Sequence, residues 1–254
     1  MDLEAAAASI WAYRQRGVYY PAEWKGRLAT DDAYRIQLAL LTRYLAGGEV
    51  QAGWKIGLTA RAMQVQAGIH EPVFGFLLES GARPSGTVFR FAELIQPAFE
   101  NELCLTVGRP LAGPGVTVAM VAEVISAVAP ALEIVERRGD AAADVPLGLA
   151  DNCQQRAFVT GSPRPLARGT DLAAVTVEVH VNERRVDRAS GVEVMGTPLA
   201  SVAWLANRLA DFSRWLEPGM RIMSGSFTRQ YGLAPGDRVE ARFEPVGPVS
   251  AEFR

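Results

Sequence analysis

Apolar residues follow one period over the first fifty positions of this chain and another over the rest. Leu3, Ala6, Ala7, Ile10 and Trp11 fall three and four apart, the spacing of one helix face. A second stretch opens at Thr30, a residue suited to cap a helix, and carries its apolar face through Ala33, Ile36, Leu40 and Tyr44. Gly47-Gly48 stops it, and Gly17-Val18-Tyr19-Tyr20-Pro21 is the loop between the two. From Trp54 onward the period falls to two, with glycine and proline turns between the runs. Val175, Val177, Val179 and Val181 alternate with Thr176, Glu178, His180 and Asn182, a strand with one buried face. Residues 239–243 and 249–253 alternate in the same way around Pro245-Val246-Gly247-Pro248, which reads as a hairpin. Two helices interrupt the strands. One runs near Val118 to Val128; the other has Thr197 as its cap and Pro198 at its first position, burying Leu199, Val202, Ala206 and Leu209. The pattern predicts an α+β protein, with a small N-terminal helical region over 1–50 and a β-rich domain over 51–254.

Composition narrows the class. Hydrophobic residues make up 49% of the 254 and charged ones 21%, the balance of a soluble chain with a substantial core. A net charge of −2 gives no electrostatic reason to expect nucleic acid as a partner. No apolar run approaches the roughly 18–20 residues that span a bilayer. Asp2 and Glu4 precede the first alanine-rich stretch, unlike a signal peptide, and Cys104 and Cys153 have no metal-type spacing. The expected location is the cytoplasm.

The chemistry lies in Phe99-Glu100-Asn101-Glu102-Leu103-Cys104-Leu105. Glu100 and Glu102 share one strand face about 6–7 Å apart, while Leu103, Leu105 and Val107 take the other. A solvated face accounts for them if they are exposed. Buried, two like charges are costly, and a hard divalent cation between them is the simplest remedy. Glu133, set in apolar Pro130-Ala131-Leu132-Glu133-Ile134-Val135, is the candidate third ligand. Lys55, amid Gly53-Trp54-Lys55-Ile56-Gly57, is either a snorkelling surface residue or a cation that steadies a developing enolate.

Seven segments in order resemble the hydratase/decarboxylase branch of the fumarylacetoacetate hydrolase superfamily. They are Asp32-Ala33-Tyr34-Arg35-Ile36-Gln37, Lys55-Ile56-Gly57-Leu58-Thr59, Phe99-Glu100-Asn101-Glu102 and Ala131-Leu132-Glu133. Ala150-Asp151-Asn152, Val202-Ala203-Trp204-Leu205-Ala206-Asn207 and Gly225-Ser226-Phe227-Thr228-Arg229 follow. The resemblance implies a β-rich roll, Mg²⁺ or Mn²⁺ on Glu100, Glu102 and Glu133, and a homo-oligomer, in places associated with a related hydratase or decarboxylase. An all-oxygen donor set agrees with that choice of metal. The implied substrate is a small 2-oxo acid, and the implied reaction is hydration of a 2-oxo-alkenoate from aromatic ring cleavage. Decarboxylation of a 2-oxo-enedioate is the alternative, and a non-catalytic keto-acid-binding or partner subunit is a third.

The resemblance also distributes roles. Lys55 is catalytic, Ser226 and Thr228 position the substrate carboxylate, Arg229 selects a longer or dicarboxylic substrate, and Leu58, Val73 and Phe74 form an apolar wall. Hydratases of the branch carry Pro-Asp-aromatic-Gly where this chain has Pro72-Val73-Phe74-Gly75, so the aspartate that handles protons is missing. His70 and Glu71 are the candidates to replace it as catalytic acid and base. Val73-Phe74-Gly75-Phe76-Leu77 suits the decarboxylases, whereas Ser226-Phe227-Thr228-Arg229 is closest to a hydratase form.

Overall fold

The computed structural model describes residues 2–254. Two helices come first, α1 (Leu3–Gln15) and α2 (Thr30–Ala46). Asp2 caps α1 by accepting from the Glu4 and Ala5 amides. The cap of α2 is Ala29, one residue before the threonine expected there, and Gly47 closes the helix as predicted.

The larger sheet runs β2-β1-β11-β5-β6-β7-β3. Its members are β1 (Gln51–Gly57), β2 (Val73–Leu78), β3 (Ala82–Pro84), β5 (Pro97–Val107), β6 (Ile125–Glu136), β7 (Gln155–Thr160) and β11 (Arg221–Met223). Two short strands attach to it, β8 (Arg164–Pro165) on β6 and β12 (Tyr231–Gly232) on β5. The smaller sheet is β10-β9-β13-β14-β4, from β4 (Thr87–Phe89), β9 (Thr176–Val181), β10 (Arg184–Ser190), β13 (Arg238–Glu244) and β14 (Gly247–Phe253). The anticipated C-terminal hairpin is β13–β14, with Val239, Ala241, Phe243, Val249, Ala251 and Phe253 buried. Aromatic contacts fill the core: Phe227 meets Phe243 edge-on at 5.3 Å and Phe99 stacks on Tyr231 at 5.4 Å.

Four more helices complete the fold: α3 (Arg61–Gln66), α4 (Val118–Val124), α5 (Val145–Ala150) and α6 (Pro198–Ala210). On α6 the apolar stripe is buried as predicted, Leu199, Val202, Ala206 and Leu209 together with Leu205. Truncating Leu205 to alanine there should cost about 2–5 kcal/mol. Thr197 sits at the cap position, but its side chain makes no capping hydrogen bond. The helix expected to reach Val128 ends at Val124, because residues from Ile125 onward pair with β5, Val128 opposite Leu105. Cross-strand pairing outweighs helix periodicity at these β-branched positions. Helices α3 and α5, six residues each, are too short for a periodic signal; α5 does carry a local one, Asp144 accepting from the Leu147 amide with a proline in the first turn.

The first two predicted helices precede residue 50 and every strand follows it. The helical region packs on the sheet. Tyr34 stacks on Phe74 at 4.2 Å, and Gln37, fully buried, donates to the Phe74 and Leu149 carbonyls at 3.1 and 2.8 Å.

Candidate metal centre

Register on the β5–β6 ladder gathers the carboxylates. Glu100 pairs with Glu133 directly and Glu102 pairs with Ala131, so all three acids emerge on one face. One oxygen from each lies within 4.8 Å of the others. Glu102 and Glu133 are completely buried, and Glu100 is partly open. The solvated reading of the paired acids is thereby excluded.

Few donors serve them. Glu102 Oε2 accepts from the Gly225 amide at 2.8 Å, while Glu102 Oε1 and both Glu133 oxygens have no hydrogen-bond partner. Gly225 comes that close because it has no side chain: its φ is +106°, and a Cβ would stand 2.5 Å from Thr59 Cγ2. Lys55, 4% exposed, places Nζ 3.3 Å from Glu133 Oε2, an ionic contact without hydrogen-bond alignment. Lys55 is therefore no snorkelling surface residue.

Three carboxylates thus face one ammonium. At ~4 Å and an effective dielectric near 20, each like-charge pair repels by about 4 kcal/mol. Burial, reinforced by Glu133 and Glu100, pushes the Glu102 carboxyl well above its ordinary range. Burial likewise lifts Glu133, which Lys55 pulls back to about 7. For Lys55, burial acts to lower the pKa, but the surrounding acids, Glu133 foremost, overcome it and leave the ammonium firmly protonated. Orphaned oxygens, hard donors and uncompensated negative charge fit a divalent cation of the Mg²⁺ type.

Beside the acids opens a cavity of about 200 Å³, walled by Leu58, Val73, Val135, Val145 and Leu149, with Met63 and Ala67 from the segment around α3. Lys55 is the sole cation lining it among the described residues. Cys153 also lines it, and burial, ahead of the opposing pull of Lys55, holds its thiol up at about 12, a neutral wall atom.

The structure sorts the sequence-predicted residues. Lys55, Glu100, Glu102, Glu133, Leu58 and Val73 come together. Phe74 does not join them: consecutive strand residues face opposite ways, and its ring lies in the core against Tyr34 and Trp54. Thr228 Oγ1 accepts from the Asn101 side chain, on the opposite face of β5, and Ser226 Oγ donates to the Asn101 backbone carbonyl at 3.5 Å. Arg229 is exposed over the Tyr231 ring, 4.8 Å from its centroid. His70 and Glu71 are exposed and line a different hollow with Arg208 and Asp31; Glu71 accepts from Trp204 Nε1 at 3.3 Å. Val73, Val145 and Leu149 border both spaces, and Lys55 lines only the first. Sequence reasoning missed Gln230, which donates to Glu100 Oε1 at 3.0 Å and lines the cavity; it lies one residue past the Gly225–Arg229 motif. The wall residues Ala141, Ala142, Val145, Gly148 and Leu149 carried no functional signal, since they are ordinary apolar ones.

Comparison with known proteins bears on this geometry. The family model described as fumarylacetoacetate (FAA) hydrolase C-terminal matches residues 52–254. A 4-oxalocrotonate decarboxylase of Pseudomonas putida is 34% identical over 223 residues, covering 87% of this chain and 84% of its own. A 2-hydroxyhexa-2,4-dienoate hydratase of Comamonas testosteroni is 35% identical over 229 residues, with 89% and 87% covered. Among solved structures, 4-oxalocrotonate decarboxylase from Pseudomonas putida G7, complexed with magnesium and adipate, matches with a TM-score of 0.92 at 32% identity, covering 99% of this chain and 97% of that one.

Proposed function

Because this chain belongs to the fumarylacetoacetate (FAA) hydrolase family, we propose that it is a metal-dependent lyase acting on a 2-oxo-alkenoate. The observation that carries this reading is the buried, undercompensated triad of Glu100, Glu102 and Glu133 beside Lys55 at the end of an apolar cavity. Glu100, Glu102 and Glu133 would hold a divalent cation, Mg²⁺ or Mn²⁺, which would supply Lewis acidity toward a 2-oxo acid. Lys55 contributes a fixed positive charge where an enolate oxygen develops, in a site dry enough to make that charge count. Leu58, Val73, Val145 and Leu149 shield the distal carbons from bulk water. We assign the enzyme to the cytoplasm, as an assembly of several copies, in the breakdown of aromatic rings.

The wall supports loss of CO₂ in particular. A distal carboxylate would meet no cation there except Lys55 and would be desolvated, which favours its departure as a neutral gas. Hydration is the second reading, favoured by three amides, Gln66, Gln154 and Gln230, that line the same cavity and can hold a water. It also agrees with the equally similar hydratase relative. With His70 and Glu71 lining the other hollow, the proton for hydration would come from water.

Purified protein should be given a 2-hydroxy-dienoate and a 2-oxo-enedioate, with and without Mg²⁺, while ultraviolet absorbance and CO₂ are followed. Metal-dependent CO₂ release without a 4-hydroxy-2-oxo product assigns the carboxy-lyase, and the hydrated product without CO₂ assigns the hydro-lyase. Binding of the acids with turnover of neither would make the chain a non-catalytic keto-acid-binding or partner subunit.

A further inference from the structure

Strand β2 is the edge of the larger sheet, yet its outward backbone groups are taken. The Phe74 amide donates to Tyr34 Oη at 3.3 Å, and the Phe74 carbonyl accepts from Gln37 Nε2 and from Cys153 Sγ. The Phe76 amide donates to Asn152 Oδ1 at 2.8 Å, and the Phe76 carbonyl accepts from Asn152 Nδ2 at 3.0 Å. A carboxamide carries the donor and the acceptor of a peptide group. Asn152 therefore closes this edge as one residue of a further strand would.

Its own backbone is bent to do so. Asn152, 2% exposed, has φ of 58°, and Cys153 and Gln154 follow at 50° and 61°. Asparagine tolerates this left-handed region; a run of three such residues needs external support. Arg138 Nη2 donates to the Asp151 carbonyl at 3.1 Å, and Gln154 Nε2 donates to the Gly139 carbonyl at 2.9 Å.

Between Asn152 and the catalytic lysine stands Gly75, paired with Lys55 across β1 and β2. A Cβ on Gly75 would lie 2.8 Å from Asn152 Oδ1 and 3.4 Å from Lys55 Cγ. The amide of Asn152 and the stem of Lys55 thus share the space over Gly75. Asn152 does not line the cavity, so it touches no substrate. Resting on the lyase reading above, we propose that Asn152 is a positioning residue. Its carboxamide holds β2 and the stem of Lys55 in place, and so sets where the ammonium stands beside Glu133. Asn152, in the segment Ala150-Asp151-Asn152, is by this inference a support for the site.

The test uses Asn152→Ala, Gly75→Ala and the double variant of the full chain. With Mg²⁺ present, Asn152→Ala should lower kcat by about 10²-fold, the cost of a misplacement near 1 Å, while KM changes little. Gly75→Ala should do the same by crowding the amide from the other side. The double variant should be no worse than either single one, because the new methyl enters the room that the amide vacates. An independent readout is the Lys55 Nζ resonance of metal-free protein, assigned by its loss in Lys55→Arg, which should shift in both single variants. Wild-type kcat with only a lowered Tm, additive losses in the double variant, or an unmoved Lys55 resonance would each overturn the proposal. If Asn152→Ala does not fold, Gly75→Ala carries the same two readouts. A wild type without turnover, whose Lys55 resonance still moves in the variants, would remove the lyase reading and leave the positioning role standing.

Discussion

Strand β6 carries two buried acids three residues apart, and they live in opposite circumstances. Glu133 points to the metal centre, where both its oxygens lack hydrogen-bond partners. Glu136, 3% exposed, accepts from Arg138 Nη1 at 3.0 Å and from the Ile95 amide at 3.1 Å. Around Glu136, Arg138 also donates to Asp151 Oδ2 at 2.8 Å, and Arg14 reaches Asp151 Oδ1 at 2.6 Å from α1. Two acids there meet three guanidiniums, Arg156 Nε standing 3.5 Å from Glu136 Oε1, with the Tyr19 ring 5.3 Å from Arg14 and 4.8 Å from Arg138. The second cluster is fully compensated and ties the helical region to the sheet; the first is left short of positive charge. Burial alone does not mark a site. Burial without compensation does.

That contrast can be broken most forcefully at its compensated end. Arg138→Met would leave buried Asp151 with Arg14 alone and Glu136 with the Ile95 amide and Arg156, and loss of about 3 kcal/mol of unfolding free energy is expected in denaturant titration. At the metal end, Glu102→Ala should abolish the saturable calorimetric signal of Mg²⁺ and lower turnover by about 10³-fold, while Asp151→Asn should leave Mg²⁺ affinity as it is. Lys55→Met should lower kcat by about 10²-fold with Mg²⁺ binding retained, since it removes charge stabilisation and no ligand. Stability of the metal-free protein should respond with opposite signs. Glu102→Gln removes the cost of protonating or crowding a buried carboxyl and should raise stability by on the order of 1–2 kcal/mol, whereas Asp151→Asn should lower it.

The smallest effect is in pH. Glu133 is raised to about 7 in the fold, so between its unfolded pKa and 7 the folded chain binds the extra proton. Metal-free protein should therefore lose stability as pH rises through that window, relative to Glu133→Gln. Saturating Mg²⁺, which favours the ionised form, should erase the difference. Equal pH profiles for the metal-free protein and Glu133→Gln would remove the claim that this carboxyl is ionised at a cost.

The two clusters also differ in how far the sequence revealed them. Glu100, Glu102 and Glu133 were legible because strand alternation is local and an acid in an apolar run stands out. The ring of Arg14, Glu136, Arg138 and Asp151 was not, since its ion pairs join residues as far as 137 apart, from helix, strand and turn. Val73 and Phe74 could have been told apart, because neighbours in a strand cannot share a wall. His70 and Glu71 could not have been placed, for their distance from Lys55 depends on how the chain around α3 runs. Thr228 follows β11, and only its pairing with the Asn101 side chain shows which side of β5 it takes.

The side-chain closure of β2 sets a timetable for the growing polypeptide. Tyr34 and Gln37 leave the ribosome before the strand they protect, but Asn152 emerges 76 residues after Phe76. At ordinary rates of about 5–20 residues per second, that edge waits roughly 4–15 s for its partner. Until then an apolar strand shows free amides and carbonyls to every neighbouring nascent chain. The β1–β2 pair is thus completed late, and crowding on polysomes exposes it to faulty pairing.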